Sequence, residues 1–331
     1  ALNIMISGAV YYALDLHRSG RIKGIIGLGG SMGTTLGTGV MREFPVGFPK
    51  VMISTMASRN TRPFVGTKDI LMLHSVCDLS GLNRITQRVL RNGAFALAGM
   101  VNGRSMNFLS GKPCVALSTL GTSEACAVKI RVILEKGGYE VVVFHSVGAG
   151  GQAMEEMFVA GEVDALVDLS LHEIADNRFG GDYDAGPERG KSALNKGIPA
   201  VLVPGNIDFL VTGPLDQAKA TFPDRKYHMH NAAITVVRTE KKEIKILAEE
   251  IARLCNEAGK PLAILVPLKG FSAFDQKGGP LHDPEAPNLF DQTLRESLKS
   301  NISIQSLPFH INDEEFALSV VDALKKLVRS A

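Results

Sequence analysis

A turn rich in glycine and hydroxyl side chains lies between an apolar run typical of a strand and a segment with helical periodicity. Its candidate ligand-binding residues are Gly29, Gly30, Ser31, Gly33, Thr34 and Thr35. Backbone amides at a helix N-terminus hold anions well, and glycine lets a ligand approach them closely. The three hydroxyl groups would add hydrogen-bond donors. These residues therefore predict a phosphate-binding site.

The same turn also fits the pattern G-x-S-x-G, in which a nucleophilic serine stands between a strand and a helix. On this interpretation Ser31 is the nucleophile of a serine hydrolase. Asp168 or Asp208 would then be the acid and His310 the base, in the required chain order. No oxyanion-hole motif such as HGGG precedes Ser31. A third interpretation is a glycine turn that only begins a tightly packed helix. The residues favour the phosphate site over both alternatives.

Two further glycine segments match nucleotide-binding patterns less well. Residues 148–153 fit G-x-G-x-x-A, and Asp168 follows Gly148 by 20 residues, as in a dinucleotide site. However, this turn follows the second strand of its domain rather than the first. Residues 185–192 fit a relaxed Walker A pattern with alanine in the first position, but no apolar strand precedes them. Both segments are therefore weaker predictions than the first turn.

Polar side chains after the next predicted strand are close to the first turn in the predicted topology. Ser54 and Thr55 end that strand, and Lys68 and Asp69 follow a few residues later. Because ligands bind at the carboxyl ends of parallel strands, we expect these residues to extend the site. Lys68 would neutralise a phosphate, and Asp69 would hold a ribose or Mg²⁺. A solvated turn is the alternative interpretation of this pair.

Five candidate acid, base or anion-binding side chains follow predicted strands in the second half of the chain. They are His145, Asp208, Lys269, Asp275 and His310. A lysine or histidine near a carboxylate in a closed cleft can be tuned for proton transfer. A single histidine of this kind is more often structural, but several polar strand ends in one domain predict a polar pocket. An enzyme acting on a small polar metabolite is therefore the alternative function.

The histidine and cysteine patterns favour no metal site. His228 and His230 lie on one side of an extended segment, but no spacing fixes a third ligand. The four cysteines, at positions 77, 114, 126 and 255, form no CxxC pair and indicate neither zinc nor a disulfide framework. We interpret them as small core residues in a reducing cytoplasm.

The candidate residues require a scaffold of alternating strands and helices. Apolar runs of strand type recur with glycine turns and helical stretches between them, which predicts parallel sheets covered by helices on both faces. We therefore expect an α/β protein of two doubly wound domains, residues 1–108 and 109–331. The polar segment 102–112 is the predicted linker.

The start of the chain predicts self-association. The sequence opens within a periodic segment that has no helix cap, so we expect the first domain to be N-terminally incomplete. Such a domain would expose apolar surface, which a partner subunit or a separate fragment would cover. We therefore expect a homo-oligomer.

Composition narrows the class of protein further. The 331 residues include 36 basic and 34 acidic side chains, and this balance favours neither nucleic acid nor an anionic membrane as a partner. The sequence contains no apolar run of about 18 residues and no signal-peptide pattern, so we expect a cytoplasmic protein. Glycine, at 34 residues, exceeds its usual ~7%, whereas tryptophan is absent. This composition favours close backbone approach to ligands over aromatic stacking.

Ten ordered blocks of the sequence carry a family resemblance. In chain order they are IIGLGGSMGTT, KVMISTMAS, GTKDI, DLSGLNRITQRVLRNGAFALAGMV, VVVFHSVGAGGQAMEEM, PGNIDF, HMHN, LVPLKGFSAFD, HDPEA and HINDEEFA. Together they resemble the bacterial and plant family related to the N-terminal region of the tomato mosaic virus resistance protein. The resemblance covers essentially the whole chain.

The resemblance implies two Rossmann-like domains, self-association and ATP binding, with or without Mg²⁺. The ATP phosphates would lie at the Gly29–Thr35 turn, and whether ATP is hydrolysed or only bound stays open. The chain departs from the family pattern at two positions, since Met32 and Phe274 stand where glycine and leucine are common. Family members also begin with an earlier strand and a Gly-Thr-Asp-type turn, which this chain lacks.

Overall fold

The computed structural model describes residues 1–103, 111–258 and 261–330. The chain divides into two units, residues 1–109 and residues 110–331. The predicted domain boundary after residue 108 and most of the predicted linker lie outside the described residues.

The first unit is built on a three-stranded parallel sheet in the order β1-β2-β3. Its elements are α1 (Leu2–Arg18), β1 (Ile25–Gly29), α2 (Ser31–Met41), β2 (Lys50–Ser54), α3 (Arg62–Val65), β3 (Leu71–His74) and α4 (Arg84–Gly103), with a short 3-10 helix at Thr55–Ser58. The register pairs Gly29 with Ser54 and Ser54 with His74, so the carboxyl ends of the three strands share one edge.

The first unit exposes many large apolar side chains. Ile4 and Tyr11 on α1, Leu28 on β1 and Phe95 on α4 are each more than half exposed. The opposite face of α1 packs its apolar side chains against Phe44 and neighbouring core residues. The unit therefore has a small core and a large apolar surface for its size.

The second unit contains a six-stranded sheet in the order β12-β11-β7-β6-β4-β5, in which all neighbouring strands are parallel. Its elements are β4 (Cys114–Thr119), α5 (Glu124–Lys136), β5 (Glu140–His145), α6 (Ala149–Ala160), β6 (Ala165–Ser170), α7 (His172–Phe179), α8 (Ser192–Asn195), β7 (Ala200–Gly205), β8 (Phe209–Thr212), α9 (Leu215–Thr221), β9 (Tyr227–Asn231), β10 (Ile234–Arg238), α10 (Lys241–Glu257), β11 (Leu262–Pro267), α11 (Ala286–Ser297), β12 (Ser303–Leu307) and α12 (Glu314–Ser330), with short 3-10 helices at Gly121–Ser123 and Ala273–Asp275.

Helices cover both faces of this sheet. Side chains alternate along each strand, so Val115 and Leu117 of β4 pack on one face while Ala116 packs on the other. Helices α5 and α12 cover the first face, and α6, α7, α10 and α11 contribute to the core on the second. Burial on both faces explains the continuous apolar character of the strands.

The fold agrees with the expected class and adds one sheet. The α/β class with mainly parallel sheets is confirmed, whereas the finer Rossmann-like assignment stays a prediction. Strand β10 also forms a small antiparallel sheet in the order β8-β10-β9. The sequence indicated an extended segment at His228 and His230, within β9, but no antiparallel sheet. Among the described residues, no helix is both long and apolar enough to cross a membrane.

Candidate functional site

The glycine turn of the first unit joins β1 directly to α2. A Cβ on Gly29 would lie 2.7 Å from the Cα of Gly33, so a side chain at position 29 would prevent this tight entry into the helix. Gly30 is the N-cap of the 11-residue helix α2, and no side chain of the described residues caps this helix. The amides that begin an α-helix lack partners within the helix, so this end presents donors that no side chain of the cap satisfies.

An open groove of about 650 Å³ lies beside this turn. It is lined by Leu28, Gly29, Gly30, Thr55, Asp78, Leu79, Ser80, Gly81, Leu82, Thr86 and Leu90. These residues end β1, follow β1, β2 or β3, or lie in the first two turns of α4, so the groove lies at the carboxyl edge of the sheet. This is where ligands bind in open parallel sheets.

The hydroxyl groups predicted for this site divide into two sets. Thr34 and Ser54 are buried, and their oxygens lie 2.5 Å apart in a hydrogen bond that ties α2 to β2. Thr35 donates to the backbone oxygen of Ser31 at 2.9 Å. These hydroxyls stabilise the turn, whereas Thr55 lines the groove itself.

The structure does not bring Lys68 and Asp69 to the turn. Asp69 pairs with Lys50 at 2.7 Å and also accepts a hydrogen bond from the Gly47 amide. Lys50 begins β2, whereas Ser54 at the other end of β2 pairs with Gly29. Four residues of strand, or roughly 13 Å, therefore separate Lys50 from the edge that carries the turn. Both predicted residues precede β3, and residues before a strand lie at its amino edge.

The second glycine segment holds a carboxylate of the chain itself. The amides of Gly148 and Gly151, at the start of α6, both donate to Glu173 Oε1, at 2.7 and 3.0 Å. A Cβ on Gly151 would lie 2.1 Å from Glu173 Oε2, so glycine is needed here for the internal carboxylate. Asp168, the acidic residue whose spacing from Gly148 fits the dinucleotide pattern, is fully buried and binds Arg189. The dinucleotide interpretation is therefore not supported.

The third glycine segment is filled in the same way. The amides of Gly190 and Ser192 donate to the two carboxylate oxygens of Glu155, at 2.6 and 2.8 Å. No strand aims this loop at a ligand, as the polar sequence before it indicated. The resemblance to a Walker A motif thus reflects a loop that holds a carboxylate of its own chain.

Arg189 links these two internal carboxylates to a third. Its guanidinium forms a bidentate pair with Asp168, both contacts at 2.7 Å, and donates to Glu173 at 2.7 Å. Glu155 lies 3.7 Å away. The Arg189 side chain is only 1% exposed. We call Arg189, Asp168, Glu173 and Glu155 the Arg189 cluster, and its internal bonds indicate a structural role.

A second buried arginine, Arg238 at the end of β10, lies among three aspartates with looser geometry. Its guanidinium nitrogens lie 3.8 Å from Asp208 Oδ2, 3.8 Å from Asp275 Oδ1 and 3.9 Å from Asp283 Oδ2. Arg238 Nε and Nη2 and Asp208 Oδ1 are buried without a hydrogen-bond partner among the described residues. We call Arg238, Asp208, Asp275 and Asp283 the Arg238 cluster. Unlike the Arg189 cluster, it leaves buried polar atoms unsatisfied.

The two central aspartates of the Arg238 cluster have raised pKa values. Burial raises the pKa of Asp208 to about 7, and the charge of Asp275 adds to this rise against the opposing effects of Arg238 and Ser272. Burial also raises the pKa of Asp275. A carboxyl group that titrates near neutral pH can act as a general acid or base.

The structure brings together three of the five candidate residues of the second unit, namely Asp208, Asp275 and His310. Asp208 Oδ2 accepts a hydrogen bond from Ser272 Oγ at 2.7 Å, and His310 Nε2 donates to the backbone oxygen of Ser272 at 2.9 Å. His310 Nδ1 accepts from the Asn312 amide, so both ring nitrogens are used. This leaves His310 without a free nitrogen for the hydrolase base, and it positions the Ser272 loop instead.

The other two candidates lie apart from that cluster. Lys269 is exposed after β11, and His145 is exposed at the end of β5, where it lines a separate pocket. His230 lines the same pocket, while the His228 ring packs 4.9 Å from the Phe274 ring. Within the described ranges, no group of three or more His, Cys, Asp and Glu side chains could hold a metal ion.

Sequence reasoning missed Arg238, Glu155 and the role of Glu173. Arg238 lies on a strand whose antiparallel partners were not recognised, and Glu155 is 35 residues away from the loop that it fills. The sequence offered one signal for these residues, which is a charged side chain within an otherwise apolar strand or helix face. A carboxylate or guanidinium buried there requires a partner of opposite charge or a hydrogen-bond partner.

The fold defines an α/β protein of two units. In the first unit, the N-terminus of α2 carries no capping side chain from the described residues. The larger second unit contains the six-stranded parallel sheet. The chain belongs to the uncharacterised protein family UPF0261. The N-terminal domain of that family matches residues 1–106, and its C-terminal domain matches residues 112–328.

Relatives occur in bacteria and in a plant. A UPF0261 protein of Clostridium tetani is 39% identical over 329 residues, which is 99% of this chain and 81% of the relative. The ToMV resistance protein Tm-1(GCR237) of Solanum lycopersicum is 37% identical over 313 residues, or 92% of this chain and 42% of the relative. A UPF0261 protein of Mesorhizobium japonicum is 35% identical, with 90% of this chain and 75% of the relative covered. The chain thus spans less than half of the tomato protein.

Proposed function

We propose that the first unit binds ATP, with the phosphates at the Gly29–Thr35 turn. One observation carries the proposal. Of the three glycine segments predicted to hold an anion, two are occupied by Glu173 and Glu155 of the chain itself. The first has no capping side chain at its helix N-terminus within the described residues.

The groove beside the turn supports this assignment. Its volume of about 650 Å³ lies within the range of small-molecule sites, and Thr55 and Ser80 offer hydroxyl donors along it. Asp78 also lines the groove, and its carboxylate suits a ribose hydroxyl or Mg²⁺. Met32 is 63% exposed and does not line the groove, so its side chain leaves the approach to the amides open.

A Gly30→Asp substitution should raise stability and abolish ATP binding together. Gly30 has the extended backbone of an N-cap, and a Cβ there would meet only Thr55 Oγ1 at 3.6 Å. An aspartate would cap α2 and stabilise the fold by about 0.5 kcal/mol. Its charge would repel the phosphates, so we expect ATP affinity to fall by at least ~100-fold in titration calorimetry.

Gly30→Asn is the matched control, because asparagine caps the helix without adding charge. It should weaken ATP binding less than aspartate does. Unchanged ATP affinity in Gly30→Asp would place the phosphates elsewhere. If neither ATP nor a non-hydrolysable analogue binds the native chain, the proposed function is wrong. If both bind and the chain releases phosphate from ATP, the protein is an ATP hydrolase.

Self-association through the apolar surface of the first unit is part of the proposal. Ile4 and Tyr11 are 78% and 76% exposed and are seven residues apart, so they lie on one face of α1. We expect sedimentation velocity to find a dimer or larger species, and Ile4→Lys with Tyr11→Lys to shift it towards the monomer. Leu318→Lys, at an exposed leucine of the second unit, is the control. A native chain that stays monomeric contradicts the expectation.

Acid–base catalysis on a small polar metabolite is the second candidate function. Its support is Asp208 Oδ1, which is buried without a hydrogen-bond partner among the described residues, together with a pKa that burial raises to about 7. Arg238 Nη2 also lacks a hydrogen-bond partner there, and it would orient a polar substrate beside Asp208. The pH dependence of stability in native and Asp208→Asn chains tests whether Asp208 holds a proton near neutral pH.

A further inference from the structure

A pocket of about 310 Å³ lies at the carboxyl ends of β4 and β5 in the second unit, and none of its lining residues belongs to the first unit. It is lined by Leu120, Gly121, Thr122, His145, Tyr183, Phe209, Val211, His230, Ile234, Val236 and Phe274. The antiparallel strands β8 and β10 supply one wall. The carboxyl end of a parallel sheet is the expected place for a ligand, and this volume suits a small one.

The inner part of the pocket is apolar. Leu120, Phe209, Val211 and Val236 are at least 90% buried and belong to one hydrophobic cluster. The Phe274 ring lies 5.5 Å from the Phe209 ring at a steep angle. These side chains would surround the apolar body of a ligand and keep water from it.

The polar groups that line the pocket can all donate hydrogen bonds. Asn206 Nδ2 donates to Thr122 Oγ1 at 2.7 Å, which leaves the Thr122 hydroxyl hydrogen available for another acceptor. His145 and His230 are exposed, so their imidazoles lie towards the solvent side, and Tyr183 adds a phenol. A ligand with acceptor oxygens at its outer end would pair with these donors.

We propose that this pocket binds a small carboxylic acid with an aromatic or branched aliphatic body. The apolar body lies against Phe209 and Val236, and the carboxylate accepts hydrogen bonds from His145, His230 and the Thr122 hydroxyl. This site is independent of the nucleotide site proposed for the first unit.

The lining residues disfavour other ligand charges. None of them is an aspartate or a glutamate, so an ammonium group would have no counter-charge. None is an arginine or a lysine, which are the usual partners of a phosphate dianion. A singly charged carboxylate matches imidazole and hydroxyl donors without needing a guanidinium.

Fluorine NMR with three probes of one shape tests the charge preference. The probes are para-fluorobenzoate, para-fluorobenzyl alcohol and para-fluorobenzylamine, each added to the full chain. We expect the benzoate to show the largest line broadening and the amine to show none. His145→Gln with His230→Gln should weaken benzoate binding about tenfold, because charge-assisted hydrogen bonds are lost at exposed positions that the fold does not need.

His74→Gln is the control, since His74 is an exposed histidine at the end of β3 in the first unit. It should leave benzoate binding unchanged. Three outcomes overturn the proposal: equal or tighter binding of the amine, benzoate binding that the double variant does not change, and no binding of any probe. The fluorine NMR experiment contains no ATP. A negative result would therefore contradict the carboxylic acid site and leave the proposed ATP site unaffected.

Discussion

Replacing Arg189 with methionine should destabilise the second unit by about 3–5 kcal/mol, the usual cost of removing one partner from a buried ion pair. Asp168 and Glu173 are fully buried, and each lies 2.7 Å from the guanidinium. Methionine fills a similar volume but leaves these carboxylates without their cation. The amides of Gly148 and Gly151 would still hold Glu173, so Asp168 should account for most of the loss.

Urea unfolding followed by circular dichroism measures this effect, and the absence of tryptophan makes fluorescence less suitable. Arg178→Met is the matched control. The Arg178 side chain is 54% exposed and lies 3.6 Å from Glu250, so its loss should cost less than about 1 kcal/mol. A similarly small cost for Arg189→Met would mean that the buried carboxylates do not depend on the guanidinium.

The Arg189 cluster also shows what glycine spacing alone leaves undetermined, which is the group that the backbone amides bind. Glycine spacing predicts that backbone amides converge, and they do so at the starts of α2 and α6 and in the 186–192 loop. What occupies the amides depends on residues far away in the chain. Glu173 lies 25 residues from Gly148, and Glu155 lies 35 residues from Gly190. The strand context in the sequence ranked the first turn above the other two, but only the tertiary structure shows which carboxylates fill them.

Local patterns predicted the parallel sheets better than the small antiparallel one. Strands β7 and β11 are buried along their whole length, and each begins as a continuous apolar run. Strand β6 is also fully buried, but Asp168 interrupts its apolar residues. Strand β9, YHMHN, is mostly polar and its pairing with β10 contains a register shift. The alternation of apolar and polar residues that predicts a half-buried strand is therefore weak in β9. The Arg238 cluster depends on this sheet, because Arg238 ends β10 and pairs with Phe209, next to Asp208.

The position of Lys68 and Asp69 relative to the turn follows from one rule of sheet geometry. Both residues directly precede β3, and the amino and carboxyl ends of a strand lie at opposite edges of a sheet. The placement of Asp69 beside Lys50, at the start of β2, follows from that rule. Polar residues should therefore be assigned to a site by the end of the strand that they flank.

Asp208→Asn should make the protein more stable above neutral pH by up to ~4 kcal/mol, with the gain disappearing in acid. Burial and the charge of Asp275 raise the pKa of Asp208 from its ordinary value of 3.8 to about 7. Between these two values the folded chain binds a proton that the unfolded chain has released. The stability of the native chain therefore falls as pH rises through this window and is flat above it. Asparagine stays neutral, so the variant does not lose this stability.

Urea unfolding at a series of pH values from 4 to 8 measures the difference between the two chains. Asp208 Oδ1 has no hydrogen-bond partner in the part of the chain that the structure describes, so an amide nitrogen there displaces no hydrogen bond of that part. Asp322→Asn, at an exposed position of α12, should show no such pH-dependent gain. A constant difference across the series would mean that Asp208 is ionised throughout, with Arg238 as its full counter-ion. That result would remove the basis for acid–base catalysis at this cluster, whereas a rising difference locates an exchangeable proton on Asp208.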